Sequence, residues 1–143
     1  MNFMGPLGIF TLDKASPRKK ILIATGSGIA PFRAMIHDYL ENGGSDDITL
    51  YWGLRYPEDI FWQEEFAVLS QKHPNFVFVL TLSQPIPNWQ GKSGRVTAHL
   101  GEIQNPTASD FYLCGNKDMV DEVQDHLLAK SVPKEQIKSE LFY

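Results

Sequence analysis

The chain has 143 residues and a formal net charge of −4. This length suits one domain with a substantial core, and the charge argues against a general affinity for nucleic acid. Cys114 is the only cysteine, which excludes a disulfide or a cysteine-held iron–sulfur cluster within the chain. Such cysteine usage is typical of a reducing compartment, so we expect a cytoplasmic protein. We expect neither a signal peptide nor a transmembrane segment, because the sequence shows neither hydrophobic pattern.

Short apolar runs alternate with stretches of helical periodicity from residue 20 onwards. The apolar runs predict strands at 20–25, 48–52, 76–82, 111–114 and 136–141. Helical spacing predicts helices at 31–42, 60–71, 94–100 and 117–130, with a loop at 83–94. Because strands alternate with helices, we predict an α/β fold: a three-layer, doubly wound, Rossmann-like parallel sheet of about five strands.

A glycine-rich stretch joins the first predicted strand to the first predicted helix. It reads Thr25, Gly26, Ser27, Gly28, Ile29, Ala30 and Pro31. Glycines permit a sharp turn and close approach of a ligand, and a helix start offers unpaired N–H groups to a phosphate. We place Pro31 at the first helical position, where its missing N–H costs nothing. The stretch predicts a phosphate-binding loop; a tight turn without a ligand is the alternative.

The end of the second strand departs from the common dinucleotide-binding pattern. That pattern has Gly or Ala where Pro31 stands, and an acidic residue after the second strand to bind a ribose. Here the second strand ends at Trp52 and Gly53, and the basic residue Arg55 follows. The sequence therefore predicts a different mode of nucleotide binding.

Taken together, the motifs resemble those of the ferredoxin–NADP reductase family. The matching residues are 25–33, 53–55 with Asp59 and Glu64–Glu65, 82–85 with Trp89 and Gly94–Val96, 112–116 with Met119, and 140–142. They occur in the family's order. Residues 5–10 are similar to the family's junction between a flavin-binding barrel and a nucleotide-binding domain.

The resemblance implies the nicotinamide-nucleotide-binding domain of a flavin-dependent oxidoreductase. Such an enzyme passes hydride from NADH or NADPH to FAD or FMN, and then electrons to an acceptor. Residues 1–16 would be the end of, or junction to, an absent flavin-binding barrel, and 17–143 the NAD(P)H-binding domain. The implied partners are a flavin-binding domain, in the same chain or a partner subunit, and an iron–sulfur protein or domain. We expect this chain alone to be inactive.

The resemblance also assigns residues to the adenosine side of the nucleotide. Residues 25–29 would contact the pyrophosphate. Arg55 would stack on adenine or pair with a 2′-phosphate, unless it is a solvated loop residue. Ser83 and Gln84 would lie near the same ribose; because NADP-preferring members carry Arg at the position of Gln84, we favour NADH. Asp59 would bind a ribose hydroxyl, or stabilise a helix N-terminus instead.

A second group of residues would serve the nicotinamide side. Cys114 would position the nicotinamide for hydride transfer, and Glu140 would lie near the ring and the flavin edge, so both are candidate catalytic residues. Without the resemblance, we would interpret Cys114 as a small, buried hydrophobic residue. Phe142 or Tyr143 would stack on the flavin, with a frayed strand end as the alternative. The predicted cofactor-binding set is completed by Pro31, Gly53, Gly115, Asn116 and Met119.

Other residue types add little chemistry. The four histidines, His37, His73, His99 and His126, lack ligand spacing with one another or with carboxylates, so we expect surface residues and no metal site. Trp52, Trp62 and Trp89 are expected to be packing residues. Two other functions are open: a non-catalytic NAD(P)H-sensing module, and a phosphate-binding fold without a nicotinamide role. The Cys-Gly loop and the Glu-x-Phe tail argue against a pure sensor.

Overall fold

A computed structural model describes residues 11–141, which form one parallel sheet with helices on both faces. The strands are β1 (Lys19–Thr25), β2 (Ile48–Leu54), β3 (Phe76–Leu82), β4 (Lys92–Ser93), β5 (Ser109–Gly115) and β6 (Ile137–Leu141). The α-helices are α1 (Ile29–Glu41), α2 (Gln63–Lys72) and α3 (Lys117–Ala129). The predicted α/β fold with a parallel sheet is confirmed. Phe142 and Tyr143, like the predicted junction at residues 5–10, lie outside the described residues.

The order of the strands creates a crevice at one edge of the sheet. That order is β4-β3-β2-β1-β5-β6, so the chain adds β2 to β4 on one side of β1 and β5 with β6 on the other. All the strand pairs are parallel, which brings their carboxyl ends to the same edge. Where the strand order reverses, the loops after the two neighbouring strands run in opposite directions and leave a crevice between them. Open α/β sheets bind ligands at such a point. Here that point lies between β1 and β5.

Each face of the sheet buries its own hydrophobic cluster. On one face α1 and α2 cover Leu22, Trp52 and Tyr112, none of which is exposed to solvent. On the other face, α3 and a 3₁₀ helix at Val96–Glu102 cover Ile23 and Leu113. Because β1, β2 and β5 are covered on both sides, their sequences are near-continuous apolar runs, as expected of a central parallel strand.

The described residues just before β1 pack against the rest of the domain. Leu12 is buried in the cluster beneath α1, and the backbone N–H of Asp13 donates to the Tyr112 hydroxyl at 2.8 Å. The fully buried Lys20 ammonium donates to the carbonyl of Ser16 at 3.0 Å. Residues just before β1 therefore belong to the packed body. The domain boundary after residue 16 stays a prediction.

The predicted strand number is corrected from about five to six. The additional strand is β4, which has two residues and lies inside the predicted loop 83–94. It pairs with β3 only through Thr81↔Lys92 and Leu82↔Ser93. A pairing this short produces no apolar run or alternation in the sequence, so periodicity could not reveal it.

Three helix predictions are also corrected. Helix α1 begins at Ile29, so Pro31 is its third residue rather than its first; its missing N–H still costs nothing, because the first four N–H groups of a helix have no intrahelical partner. Helix α2 begins at Gln63, because Trp62 adopts a left-handed conformation with φ of 57°. The helix predicted at 94–100 is a 3₁₀ helix displaced to Val96–Glu102.

An ion-paired cluster joins α1 to α2. The Arg33 guanidinium donates to both carboxylate oxygens of Glu65, at 2.7 and 3.0 Å. It also lies over the Trp62 ring, 4.5 Å from the ring centre. His37 contacts the same Glu65 carboxylate through Nε2 at 2.7 Å. The hydrogen bond from Arg33 is the largest cause that holds the pKa of Glu65 below its usual range.

Candidate nucleotide-binding site

A cleft of about 980 Å³ runs across the carboxyl ends of the parallel strands, at the reversal of strand order. Every long strand except β6 contributes its end or the loop that follows it. The lining residues are Thr25–Ser27, Gly53–Tyr56, Asp59, Phe61, Ser83, Gln84, Gly94–Thr97, Gly115, Asn116, Asp118 and Met119. Two basic and two acidic side chains are among them, so the cleft carries no excess of formal charge.

The loop between β1 and α1 turns tightly because of two glycines with different roles. Gly26 has φ of +53° and open space where a side chain would project. Gly28 lies against β5: a Cβ here would be 2.7 Å from the carbonyl carbon of Cys114 and would collide with its oxygen. The Trp52 indole Nε1 donates to the Gly26 carbonyl at 3.1 Å, and this hydrogen bond holds the loop in place. Gly26 is therefore required for conformation and Gly28 for space.

The start of α1 is a candidate binding site for an anion. Its N-cap residue is Gly28, with no side-chain cap, and its first turn holds no acidic residue. A 3₁₀ turn at Gly26–Gly28 leads directly into the helix, and the Ile29 N–H donates to the Ser27 carbonyl, so what the helix start offers an anion is chiefly the partial positive charge of the helix dipole. Ser27, which is exposed at the mouth of the cleft, lies directly before this start. The arrangement is suited to bind a phosphate.

The ends of β2 and β3 form the side wall of the cleft. The backbone N–H of Gln84 donates to the Arg55 carbonyl at 2.7 Å, and Ser83 donates to Leu54 at 2.9 Å. The Arg55 guanidinium is exposed and has no ion-pair partner among the described residues. Asp59 accepts from the Tyr56 N–H at 3.2 Å, within a 3₁₀ turn that precedes α2. Asp59 thus stabilises that turn, and does not lie at the N-terminus of α2.

The opposite wall comes from β5 and the start of α3. Asn116 is the N-cap of α3, and its Oδ1 accepts from the Met119 N–H at 2.8 Å. Its own N–H donates to the Thr25 hydroxyl at 3.4 Å. A Cβ on Gly115 would collide with that same hydroxyl and lie 2.9 Å from the Met119 methyl group. The loop between β1 and α1 and the end of β5 are therefore packed directly against each other.

Two candidate catalytic side chains lie side by side behind this wall. Cys114 on β5 is in register with Glu140 on β6. The thiol is fully buried, and burial, followed by the Glu140 carboxyl, raises its pKa to about 12. Burial also raises the pKa of Glu140, which is 8% exposed and whose Oε1 has no hydrogen-bond partner within the described residues. A protonated thiol is not a nucleophile, which fits a role of Cys114 in positioning.

Residues 22–125 match the family model of the oxidoreductase NAD-binding domain. The chain belongs to this family. It is 32% identical over 129 residues to ferredoxin–NADP reductase B of Sorangium cellulosum, covering 85% of this chain and 53% of that protein. It is 31% identical over 139 residues to the reductase component of the propane 2-monooxygenase of Rhodococcus jostii, covering 93% and 38%.

A solved structure supports the same assignment. The cytochrome P450 reductase GcoB of Amycolatopsis superimposes with a TM-score of 0.86 and 29% identity, covering 96% of this chain and 42% of that one. The chain thus spans between 38% and 53% of the length of these three proteins. The expected membership, an NAD(P)H-binding domain of the ferredoxin–NADP reductase family, is confirmed.

The cleft of this NAD(P)H-binding domain brings together most of the residues predicted from sequence. Those that line it are Thr25, Gly26, Ser27, Gly53, Arg55, Asp59, Ser83, Gln84, Gly115, Asn116 and Met119. Gly28, Ile29, Pro31, Cys114 and Glu140 do not line it. Gly28 acts as a spacer, and Ile29 is fully buried. The individual roles of these residues stay predictions.

Sequence reasoning missed several side chains of the cleft. Arg95 and Thr97 flank the buried Val96, and Asp118 occupies the first turn of α3. The sequence does point to Arg95, since Gly94–Val96 is one of the motifs that resemble the family's. The Arg95 guanidinium lies 3.7 Å from the carboxylate of Glu122 on α3.

The histidine prediction needs correction. His37 contacts Glu65 at 2.7 Å and Glu41 at 3.3 Å. The His99 side chain is only 13% exposed, and its Nδ1 contacts Glu102 at 2.9 Å. Glu41 and Glu102 follow their histidines by four and three residues on the same helix, whereas Glu65 belongs to α2 and reaches His37 only through the packing of α2 on α1. Among residues 11–141 there is no group of three or more His, Cys, Asp or Glu side chains that could hold a metal.

Within the described range, no helix combines the length and apolar character needed to cross a bilayer.

Proposed function

We propose that this domain binds NADH or NADPH in the cleft and presents the nicotinamide for hydride transfer to a flavin held by another domain. The observation that carries the proposal is the uncapped start of α1, which opens into the cleft beside Gly26 and Ser27. The family membership makes a nicotinamide dinucleotide the natural ligand. The cleft volume of about 980 Å³ is at the upper end of the range of ordinary ligand sites and suits an elongated dinucleotide.

The pyrophosphate would bind to the backbone of residues 25–28. Backbone N–H groups of this loop would donate to the phosphate oxygens, and the dipole of α1 would stabilise the phosphate charge. Gly26 leaves open space for this approach, while the hydrogen bond from Trp52 holds the loop in place before the ligand arrives. A loop that is already ordered loses little conformational entropy on binding.

The adenosine would lie toward the ends of β2 and β3. There Arg55 is the cation without a partner, whereas Arg95 already faces Glu122. A 2′-phosphate needs charge-assisted donors, and Gln84 supplies none with a charge. We therefore propose that the domain prefers NADH, with Arg55 packing on the adenine. Asp59 would accept from a ribose hydroxyl while keeping its bond to Tyr56.

The nicotinamide would lie over the end of β5, next to Cys114 and Glu140. A bound flavin supplies the acceptor for the hydride. The protein's own contribution is to hold the ring: the buried thiol provides a polarizable surface that stays uncharged, and Glu140 provides a carboxyl with an unsatisfied oxygen. An unsatisfied buried acceptor is costly, so a partner group at this position would be stabilising.

The full enzyme would contain more than this chain. We propose a flavin-binding domain, in the same chain or a partner subunit, that carries FAD. An iron–sulfur protein or domain is the proposed electron acceptor, in keeping with relatives that include a ferredoxin–NADP reductase and an oxygenase reductase component. The lone buried cysteine supports a cytoplasmic location.

The test is a calorimetric titration of the chain with NADH, NADPH and ADP-ribose, in the wild type and in two variants of Ser27. Ser27→Asp places a carboxylate at the start of α1, which favours the helix but repels a phosphate. We expect all three ligands to bind Ser27→Asp at least about tenfold more weakly, with no loss of thermal stability. Ser27→Asn is the neutral control of similar size and should bind almost as the wild type does. Equal binding by all three proteins would contradict the proposed site.

The same titrations test the cofactor preference. We expect NADH to bind at least as tightly as NADPH, and Arg55→Ala to weaken both alike, because adenine packing is common to the two. If NADPH binds more tightly and Arg55→Ala removes the difference, then Arg55 binds the 2′-phosphate and the preference is for NADPH. Turnover is checked with NADH, free FAD and an artificial electron acceptor; rapid reduction by the chain alone would contradict the need for a flavin domain.

A further inference from the structure

The wall of the cleft between β3 and α3 is formed by residues 94–97, and a histidine lies directly behind it. Gly94 and Arg95 connect β4 to the 3₁₀ helix Val96–Glu102, and they line the cleft together with Val96 and Thr97. His99 is on this 3₁₀ helix, with its side chain 13% exposed. Its ring contacts β3, β4 and its own helix. No role was predicted for it, and it does not line the cleft itself.

The Nε2 atom of His99 faces only acceptors. It lies 3.0 Å from the Ser93 carbonyl oxygen and 3.2 Å from the Thr81 hydroxyl. The Thr81 hydroxyl donates its one proton to the Gly94 carbonyl at 2.8 Å, so toward His99 it can only accept. Nε2 must therefore carry a proton to satisfy either contact.

The Nδ1 atom of His99 also faces an acceptor. It lies 2.9 Å from Oε2 of Glu102, and the Lys92 ammonium donates to the same oxygen at 3.1 Å. The hydrogen bond from His99, and then the contact with Lys92, hold the pKa of Glu102 below its usual range, so the carboxylate is ionised at neutral pH. An ionised carboxylate accepts only. A proton on Nδ1 would satisfy this contact as well.

We propose that His99 is a positioning residue of the nucleotide cleft and acts as an imidazolium that ties β3, β4 and the 3₁₀ helix together behind residues 94–97. The cation satisfies Ser93 and Thr81 with one N–H and Glu102 with the other. A neutral ring leaves a lone pair facing either the carboxylate or the carbonyl, which repels and releases one of the tethers. The nucleotide-binding readout of this proposal rests on the proposed function.

The charged and titratable groups near His99 determine how the proposal is tested. Glu102 from its own helix contacts the ring, and Lys92 from β4 contacts the same carboxylate. Tyr51 on β2 adds a titratable hydroxyl near Glu102; burial, followed by the Glu102 charge, raises its pKa. Thr81 on β3 is fully buried and uncharged. Lys92 competes with His99 for the carboxylate, so both cations enter the design of the test.

The first measurement is the protonation of the His99 ring by nitrogen-15 NMR of the whole chain at pH 7. We expect proton-bearing shifts for both ring nitrogens of His99, assigned by comparison with His99→Gln. A neutral single tautomer at pH 7 would overturn the proposal, whether or not the chain binds a nucleotide. This measurement uses no ligand, so it stays decisive if the proposed function fails.

The second measurement is the affinity for ADP-ribose between pH 6 and pH 9 at constant ionic strength. For the wild type we expect a loss of about fivefold as His99 loses its proton, the difference between a charge-assisted and a neutral hydrogen bond. In Glu102→Gln the introduced amide can donate to a neutral Nδ1, so the tether no longer needs the proton and the pH dependence should vanish. Lys92→Met, which removes the competing cation, should keep the pH dependence.

A matched control comes from the other histidine–carboxylate pair on one helix. Glu41→Gln alters the contact to His37 on α1, away from the cleft, and should leave the wild-type pH dependence of ADP-ribose binding in place. If Glu41→Gln abolishes it, or if Glu102→Gln retains it, His99 is not its source and the proposal is overturned. Absence of ADP-ribose binding at every pH would count against the proposed function, and the NMR result would then decide on His99.

Discussion

Gly28 provides a sharp test of the link between the phosphate loop and the sheet. In Gly28→Ala the new methyl group would be 2.7 Å from the Cys114 carbonyl carbon and 3.0 Å from the Gly115 Cα. Comfortable carbon–carbon contacts begin near 3.5 Å, so the loop must retreat from β5 by about 1 Å. Both obstacles are backbone atoms, which cannot rotate out of the way. Overpacking of this kind costs about 1–3 kcal/mol.

The expected result is a joint loss of stability and binding. Urea unfolding should show the free energy of unfolding reduced by about 1–3 kcal/mol, and thermal unfolding a midpoint lower by about 4 °C per kcal/mol. The displaced loop is the proposed phosphate-binding loop, so ADP-ribose affinity should fall at least about tenfold. A loss of stability alone would not produce this fall in a chain that is still folded.

Gly101 supplies the matched control for this substitution. It lies in the 3₁₀ helix, and no atom is within 4 Å of a Cβ added there. Gly101→Ala should leave ADP-ribose binding unchanged and stabilise the chain slightly, by up to about 1 kcal/mol, because alanine restricts the unfolded chain. If Gly28→Ala binds ADP-ribose as tightly as Gly101→Ala does, the close packing of the loop on β5 is not what shapes the phosphate site.

Three further predictions concern titratable groups. Cys114 should resist thiol reagents in the folded chain up to pH 9, because its pKa is about 12 and the thiol is buried; rapid alkylation without unfolding would contradict this. Glu65 has a lowered pKa in the folded chain. Its stabilising contribution is therefore present above the unfolded pKa and is lost as pH falls through the folded pKa. Urea titrations from pH 7 to pH 3 should show a smaller decrease in the free energy of unfolding for Glu65→Gln than for the wild type. Glu140 has a raised pKa in the folded chain, so the chain loses stability as pH rises through that pKa. At pH 8, Glu140→Gln should be more stable than the wild type by about 1 kcal/mol. The same change at the exposed Glu135 should have no effect.

Much of the fold follows from local patterns. The central strands are buried on both faces, so runs such as Ile21–Ala24 are continuously apolar and predict strands on their own. The phosphate-binding loop was predicted because its chemistry is local: the glycines and the helix start are contiguous in sequence. The family's motifs then placed Arg55, Gln84 and Asn116 at one site, and the structure brings these three residues to the same cleft.

Other features depend on packing and could not be read from one sequence. Strand β4 exists only because β3 offers it two partners. The late start of α2 depends on the left-handed Trp62, over which Arg33 packs. The tethers of His99 come from residues up to 18 positions away, on two strands. Each of these depends on contacts between segments that have no periodic relation in the chain.

One short piece of backbone, at the end of β5, connects the two halves of the site. The Cys114 carbonyl limits how far the phosphate loop can approach, through Gly28, while the Cys114 side chain lies beside Glu140 in the proposed nicotinamide corner. Gly115 then packs against the Thr25 hydroxyl. A shift of this strand end would therefore move the proposed pyrophosphate and nicotinamide sites together. This rigid connection fixes the distance between the two, which is what a domain needs in order to hold a dinucleotide by its phosphates and present its ring to a partner.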